Sequence, residues 1–230
     1  MSAGTWYASH DHDRHQLVWA ARGIVAVGIG DEYWVLPPTR ALWVPAGVGH
    51  RTGAPSRARM LGIYAEPGSC PVSWPGPRLV AVRPVLRELL EYLAGEGITD
   101  DARRRAEAVA FDLLQPIEVV PITVPLPADE RARVVARVLL ADPADPRGLA
   151  EFGRLAGAAE RTLARLFLSE CQVTFGVWRT QVRLRASLPL LAEGMPLTAV
   201  SRRVGYSSPS AFVAAFRRAV GIPPGAYFGS

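Results

Sequence analysis

The chain has 230 residues, of which 49% are hydrophobic and 20% are charged, and its net charge is +5 at pH 7. This size and composition predict a globular protein of two domains, each with a core of its own. No apolar run reaches the roughly 18 residues that a membrane span needs, and the N-terminus has no signal-peptide pattern, so we expect a cytoplasmic protein without membrane contact.

Residues 1–78 are predicted to form a β-barrel, because short β-rich runs alternate there with Gly, Pro and Asp turn signals. Regularly spaced short strands are typical of a sandwich or barrel. The predicted strands are Leu17–Ala20, Ile24–Ile29, Tyr33–Leu36, Ala41–Val44 and Met60–Tyr64.

Two histidine patterns lie within these strands: His10-x-His12-x-x-x-Gln16, and Pro45-x-Gly47-x-x-His50. They resemble the first and second cupin motifs, which implies that His10, His12, Gln16 and His50 converge inside a barrel and form a divalent-metal site. Gln16 stands where metal-binding cupins have an acid, and a neutral side chain should weaken binding of a divalent ion. The alternative is that these residues are polar lining of an effector pocket, or hydrogen-bonding residues.

The strands also carry large aromatic residues that are predicted to line an apolar effector pocket, since such pockets are rich in aromatic side chains. These residues are Trp19, Trp34, Trp43 and Tyr64. The alternative is an ordinary core, because large aromatics dominate core burial.

Residues 84–115 are predicted to form a helical hairpin that packs against the barrel, with apolar stripes on both helices. Residues 119–126 are interrupted by prolines and are predicted to be an edge strand or a linker. A further helix is predicted over 129–140. The predicted domains are therefore 1–125, for ligand sensing and dimerisation, and 126–230, for DNA binding.

The C-terminal part is predicted to hold two helix-turn-helix units, at 149–170 and 197–218, joined by one long helix. In the second unit Gly205 can end the first helix in a left-handed conformation, and Ser207 or Ser208 can cap the next helix with Pro209 in its first turn. The joining helix is about 19 residues, or roughly 28 Å long. Because one turn of DNA is about 34 Å, this connector can place two recognition helices in successive major-groove segments.

The same region resembles the AraC/XylS family of bacterial transcription regulators. The resemblance is carried by Arg161-Thr-Leu-Ala-Arg-Leu-Phe167, by Trp178-Arg179 with Arg183 and Leu184, and by Gly205-Tyr-Ser-Ser-Pro-Ser-Ala-Phe212 through Tyr227. It covers about 80 residues and implies a DNA-binding regulator with an N-terminal sensor, in which the helical hairpin often carries the dimer contact. The chain departs from the family pattern at Cys171-Gln172, where the family usually has a polar residue followed by a glycine. It also departs at Pro189, which lies inside the joining helix and should kink it or lower its stability.

Charge supports DNA binding by the C-terminal part. Residues 147–230 have 11 arginines and 4 acids, a balance of +7, whereas residues 1–146 have 15 arginines and 17 acids, a balance of −2. A basic domain is the expected footprint of phosphate binding. The predicted DNA-contacting residues are Arg161, Thr162, Arg165, Arg179, Arg202, Arg203, Ser207, Ser208, Ser210, Ala214, Arg217 and Arg218. The first unit is expected to dominate base readout, because arginine pairs bidentately with guanine.

The sequence thus predicts an α+β protein with a cupin-like β-barrel and an all-α tandem helix-turn-helix domain. Its predicted function is sequence-specific transcription regulation in response to a small-molecule effector, with double-stranded DNA as partner and a homodimer as assembly. One alternative is a metal-responsive regulator that uses the His10, His12, Gln16 and His50 site. A cupin enzyme fused to a DNA-binding domain is disfavoured, because no acidic ligand or second catalytic group accompanies the histidines, and no catalytic residue is predicted.

Overall fold

The computed structural model describes residues 1–228 and divides into two compact units. The first unit comprises 1–30, 34–119 and the chain from 225 onward, and the second comprises 31–33 and 120–224. The predicted boundary between residues 125 and 126 stays a prediction. None of the helices in residues 1–228 is both long and apolar enough to cross a membrane.

The N-terminal part is built of two antiparallel sheets, which agrees with the predicted β-rich domain, while its cupin-like character stays a prediction. The strands before the hairpin are β1 (Thr5–Trp6), β2 (His15–Arg22), β3 (Val25–Ile29), β4 (Glu32–Leu36), β5 (Arg40–Val44), β6 (Arg51–Ala54), β7 (Arg59–Ala65) and β8 (Arg78–Ala81). Strands β1, β6 and β8 were not predicted from the sequence. One sheet has the order β7–β2–β5–β8, extended by β9 (Pro116–Ile117), and the other includes the order β1–β6–β3–β4.

The helical hairpin consists of α1 (Pro84–Leu93) and α2 (Asp100–Asp112). It buries Leu86 and Leu90 of α1 and Ala106 of α2 in one apolar cluster with Trp19 and Trp43 of the sheet. Full burial of a leucine side chain contributes about 1.5–3 kcal/mol, so Leu86 and Leu90 stabilise the packing of α1 on the sheet. The second helix begins at an N-cap, where the Thr99 hydroxyl accepts from the Ala102 amide.

A buried arginine fastens the segment from Gly225 to Phe228 within the first unit. The guanidinium of Arg40 donates to the carbonyls of Ala226 and Tyr227, each over 2.7 Å, and the Thr39 hydroxyl donates to the Phe228 carbonyl. Burial lowers the pKa of Arg40, and the nearby Tyr227 raises it. Because the chain carbonyls satisfy the guanidinium, this charge can remain inside the protein.

The second unit contains a short strand and a bundle of helices. Strand β10 (Ile122–Thr123) pairs antiparallel with Tyr33 and Glu32, so the proline-interrupted stretch does supply an edge strand. The helices are α3 (Glu130–Ala141), α4 (Leu149–Ala156), α5 (Glu160–Cys171), α6 (Phe175–Ala192), α7 (Leu197–Arg203) and α8 (Pro209–Val220). The short helix α9 (Pro224–Phe228) belongs to the first unit from Gly225 onward.

The ends of these helices follow from local sequence. Gly205 takes the predicted left-handed conformation, with φ of 84°, and Gly157 takes the same conformation, with φ of 63°. The Ser208 hydroxyl caps α8 by accepting from the Ala211 amide over 3.2 Å. Helix α6 passes through Pro189 and ends at Ala192, so the proline does not terminate it. The core of the unit collects Phe152, Phe167, Trp178, Phe212 and Phe216, all fully buried.

Candidate functional site

The first helix-turn-helix unit is α4 followed by α5, with the turn at Gly157. Leu163, Leu166 and Phe167 are buried on the inner face of α5, while Arg161 and Arg165 are exposed on its outer face. The outer face borders a surface groove that Arg161, Thr162 and Arg165 help to line. An amphipathic second helix with exposed arginines near its start matches the geometry of a recognition helix.

The second unit is α7 followed by α8, with the turn at Gly205. Its predicted contact residues fall into two groups. Arg202, Arg203, Ser207, Ser210, Ala214, Arg217 and Arg218 are exposed. Ser208 is partly buried and its hydroxyl is already used as the helix cap, which leaves it less available to DNA. A surface groove of about 750 Å³ runs along Ser210, Ala214 and Arg217.

The arginines on these outer faces have no internal partners. Within residues 1–228, none of Arg161, Arg165, Arg202, Arg203, Arg217 and Arg218 forms an ion pair or a side-chain hydrogen bond. A guanidinium held in water loses little when it transfers its hydrogen bonds to phosphate or a base edge. The arginines of both helix-turn-helix units are therefore available to bind a DNA duplex.

Arg179 behaves differently from the other predicted contact residues. Its guanidinium donates to the carbonyl of Arg147 over 2.9 Å and to the carbonyl of Asp145. Burial lowers its pKa, and the neighbouring Arg183 lowers it further while Asp145 raises it. Two of its guanidinium nitrogens therefore hold the loop before α4, and the assignment of Arg179 to the DNA-contacting face stays a prediction.

A group of side chains that the sequence analysis did not assign works with Arg179. Asp145 is buried and binds Arg147 through the Arg147 amide over 2.9 Å and through its guanidinium. The hydrogen bond from Arg147 holds the pKa of Asp145 below its usual range. The Arg183 side chain donates to the carbonyl of Pro143 over 3.1 Å. We call Asp145, Arg147, Arg179 and Arg183 the loop clamp, since together they hold residues 143–147 against α6.

The predicted histidine cluster of the N-terminal unit is brought together by the fold. His10 and His50 lie opposite each other in an antiparallel bridge with reciprocal backbone hydrogen bonds of 2.9 Å. Their ring centroids are 4.6 Å apart, and the His12 ring lies 5.2 Å from that of His50. Nε2 of His12 lies 3.2 Å from Oε1 of Gln16, whose amide nitrogen donates to the Tyr64 hydroxyl over 2.8 Å.

The chemistry of this cluster is set by burial and by backbone carbonyls. His50 is 1% exposed, and burial lowers its pKa, so it is neutral at pH 7. Its Nδ1 donates to the Val48 carbonyl over 3.0 Å, which leaves Nε2 as an acceptor. That Nε2 atom is buried and has no hydrogen-bond partner within the described residues. A buried acceptor without a partner is costly, so a ligand with a hydrogen-bond donor would be favoured there.

The donor set of the cluster suits a divalent ion in kind, since imidazole nitrogens and an amide oxygen are known ligands. Within residues 1–228, no group of three or more His, Cys, Asp and Glu side chains is arranged to hold a metal ion. The preformed metal centre that the cupin resemblance implies is therefore not found among these residues.

The four aromatic residues of the predicted effector pocket have different surroundings, and the pocket stays a prediction. Trp19 and Trp43 are fully buried in the cluster beneath the helical hairpin, and Trp34 is buried as well. Side chains alternate along β2, so Trp19 points to the hairpin face while Gln16 points to the opposite face. Of the four aromatic residues, Tyr64 is the one that contacts the histidine cluster, with its ring 5.3 Å from that of His12.

Two adjacent helix-turn-helix units with free arginines on their outer faces define a DNA-binding domain. Residues 153–230 match the family model described as a helix-turn-helix domain. The chain is 29% identical over 222 residues to the HTH-type transcriptional regulator NimR of Escherichia coli, which covers 95% of this chain and 81% of NimR.

It is also 28% identical over 214 residues to the HTH-type transcriptional regulator RipA of Corynebacterium glutamicum, which covers 92% of this chain and 61% of RipA. Among solved structures, ToxT of Vibrio cholerae aligns over 100% of this chain and 95% of its own, with 12% identity and a TM-score of 0.41. The C-terminal part is therefore a helix-turn-helix DNA-binding domain, and most of the chain is similar to helix-turn-helix transcriptional regulators.

Proposed function

We propose that this protein is a sequence-specific regulator that binds double-stranded DNA through both helix-turn-helix units and answers to a small-molecule effector bound by its N-terminal unit. The observation that carries the DNA part is the set of unpaired, exposed arginines on α5, α7 and α8. Because its target is DNA, we place its action in the cytoplasm. The relatives are transcriptional regulators, and we assign no catalytic role.

The DNA part is tested by selecting duplexes from a random pool with the full chain. The affinity for a selected duplex is then compared with that for its scrambled version at fixed salt, by fluorescence anisotropy. A specific regulator should bind the selected duplex at least about a thousandfold more tightly. Equal affinities for the two duplexes would contradict sequence-specific binding.

For the effector we propose a site at the histidine cluster, made by His12, Gln16, His50 and Tyr64. The supporting observation is the buried Nε2 of His50, which lies among polar side chains inside a β-rich unit. Ligand sites of this kind combine apolar walls with a few polar groups that orient the ligand. The ligand expected here is a neutral organic molecule with a hydroxyl or amide donor.

A thermal-shift screen of organic compounds against the full chain tests this site. Compounds bound at the cluster should stabilise the wild type, lose that effect in Gln16→Leu, and keep it in Asp13→Asn, a control at an exposed side chain nearby. They should also change affinity for the selected duplex. Compounds that act equally on Gln16→Leu would place the effector elsewhere.

The second candidate is the metal-responsive regulator. The observation that favours it is the convergence of three imidazole rings with an unpaired Nε2 on His50, and the absence of a preformed centre in residues 1–228 stands against it. Elemental analysis tests whether the histidine cluster binds a metal. It compares the purified protein with the His10→Ala, His50→Ala double variant. Near-stoichiometric metal that disappears in the variant would support this candidate, and equal traces in both would eliminate it.

We also propose that the protein is a homodimer that associates through α1 and α2. The hairpin buries one face against the sheet, yet it exposes Val85, Tyr92 and Val109 at 63%, 48% and 48%. Large apolar side chains that a hairpin leaves exposed are candidates for an interaction surface. Two copies of one patch can cover each other across a twofold axis.

A further inference from the structure

A cleft of about 770 Å³ lies in the first unit, and its lining includes no residue of the histidine cluster. It is lined by Met1, Tyr7, Arg22, Arg57, Ala58, Arg59 and Met60. Three of its seven lining residues are arginines, and none is acidic. This concentration is unexpected because residues 1–146 carry a net charge of −2.

The backbone positions of these arginines are closely defined. Arg22 lies directly opposite Arg59 in the antiparallel pairing of β2 and β7, next to a register shift between Ala20 and Arg22. Gly23 has φ of 70° and packs so tightly on the Arg57 carbonyl that any β-carbon there would collide with it. The Ala58 amide donates to the Met1 carbonyl over 3.2 Å. The turn at Gly23 and the turn at Arg57 are distant in sequence but pack against each other. This packing brings Arg57 beside Arg22.

The charges of the cleft are incompletely balanced within the protein. Arg59 forms an ion pair with Glu91 at 2.7 Å. Within residues 1–228, Arg22 and Arg57 have neither an ion pair nor a side-chain hydrogen bond, and both are exposed. Like charges directly opposite on paired strands are destabilising. A bound anion converts this repulsion into attraction, and guanidinium groups hold planar or tetrahedral oxyanions through paired hydrogen bonds.

We propose that this cleft binds the carboxylate or phosphate group of a small molecule, with Arg22 and Arg57 as the main ligands and Arg59 as a supporting charge. The volume lies in the range of small-molecule sites, and the lining is concave. A DNA backbone would instead be expected on an extended basic surface, whereas this part of the chain is mildly acidic. The site is independent of the effector site proposed at the histidine cluster.

The test is a thermal-shift and calorimetric titration of the full chain with inorganic phosphate and, separately, with citrate, at constant ionic strength. The variant is Arg22→Gln, Arg57→Gln. The control is Arg83→Gln, Arg105→Gln, which removes two exposed arginines of the same unit outside the cleft. Saturable stabilisation of the wild type and control by one of the two anions, with at least about a tenfold loss of affinity in the cleft variant, is expected.

The preferred anion identifies the group, phosphate or carboxylate. Circular dichroism checks that the cleft variant is folded, which its exposed positions favour. Absence of a saturable response in the wild type, or equal losses in both variants, would overturn the proposal. So would a cleft variant that keeps its anion response but binds a random-sequence duplex more weakly than the control does, because the arginines would then serve DNA.

Discussion

Individual arginines in the DNA-binding domain have distinct environments, although their sequence contexts look alike. Arg165 lies exposed on α5, Arg217 lies exposed near the end of α8, and Arg179 is committed to the loop clamp. An arginine near the start of a recognition helix is expected to read bases, whereas one further along meets phosphate. Position along the helix, in addition to charge, therefore decides what each arginine can do.

We expect Arg165→Ala to relax sequence preference and Arg217→Ala to weaken all duplexes about equally. A bidentate contact with guanine contributes about 1–3 kcal/mol against a wrong base, whereas a phosphate contact carries no sequence information. The measurement is anisotropy with selected and single-base-changed duplexes, with Arg105→Ala in the first unit as the control. A uniform loss of affinity in Arg165→Ala would contradict the assignment.

The loop clamp predicts a dependence of stability on pH. The Asp145 carboxyl has its pKa below the usual value of 3.8 in the folded protein, chiefly because Arg147 hydrogen-bonds to it. As the pH falls, Asp145 is therefore protonated in the unfolded chain before it is protonated in the folded protein. The stability that its carboxylate contributes is complete above pH 3.8 and is lost as the pH falls through the lower pKa of the folded protein.

We expect Asp145→Asn to be less stable than the wild type at pH 7, and the difference to shrink toward pH 3. Urea denaturation at both pH values measures it. Asp13→Asn, at an exposed side chain outside the loop clamp, should show no comparable difference. A gap between wild type and Asp145→Asn that stays constant with pH would show that the carboxylate charge is not what stabilises the clamp.

At the scale of elements, the end of α5 is made by a residue that strains the backbone. Gln172 has φ of 59°, and it is the one non-glycine residue with positive φ within residues 1–228. It stands where the resembling family usually has glycine. Its side-chain amide donates to the Ser169 carbonyl over 2.7 Å, which offsets part of the cost. The left-handed conformation costs a non-glycine residue about 1–2 kcal/mol.

Gln172→Gly is expected to raise the free energy of unfolding by up to about 1 kcal/mol, since the relief of strain exceeds the entropy that glycine loses on folding. For a chain of this size that corresponds to roughly 2–4 °C in the midpoint of thermal unfolding. Gln172→Ala is the matched variant, because it keeps the β-carbon and loses the amide. It should be less stable than the glycine variant, and the reverse order would contradict the argument from strain.

At the scale of the whole molecule, the hairpin surface predicts the state of association. Val85→Glu with Val109→Glu places charges in the proposed dimer contact without touching the buried faces of α1 and α2. Burying these carboxylates would cost far more than the contact gains, so the variant should be monomeric. Sedimentation velocity over a range of concentrations measures this. The control Glu96→Gln, at an exposed position between the helices, should remain dimeric. A wild type that sediments as a monomer throughout would contradict the proposal.

Much of the helical domain could be predicted from the sequence by itself. The bounds of α4, α5 and α8 follow from apolar periodicity, from Gly157 and Gly205, and from the Ser208 cap, all of which act within a few residues. The histidine pair of the first unit was also found, because the motif resemblance joined positions 10 and 50. Short strands such as β6 and β8 were missed, since four residues hold too little periodicity to outweigh their turn-like neighbours.

Only the tertiary structure showed which residues far apart in the sequence contact one another. Alternation along β2 separates Trp19 from Gln16, but only the packing of the hairpin shows which face is core and which face carries the polar cluster. The sequence predicts Arg179 as a DNA contact because of its charge. Only the fold shows that its guanidinium donates to the carbonyls of Asp145 and Arg147. Arg22 and Arg57 line one cleft because Gly23 has no β-carbon, which lets the turn at Arg57 pack against it. Local sequence sets helix ends through short-range hydrogen bonds, whereas partners far apart in the chain are chosen by the packing of the whole unit.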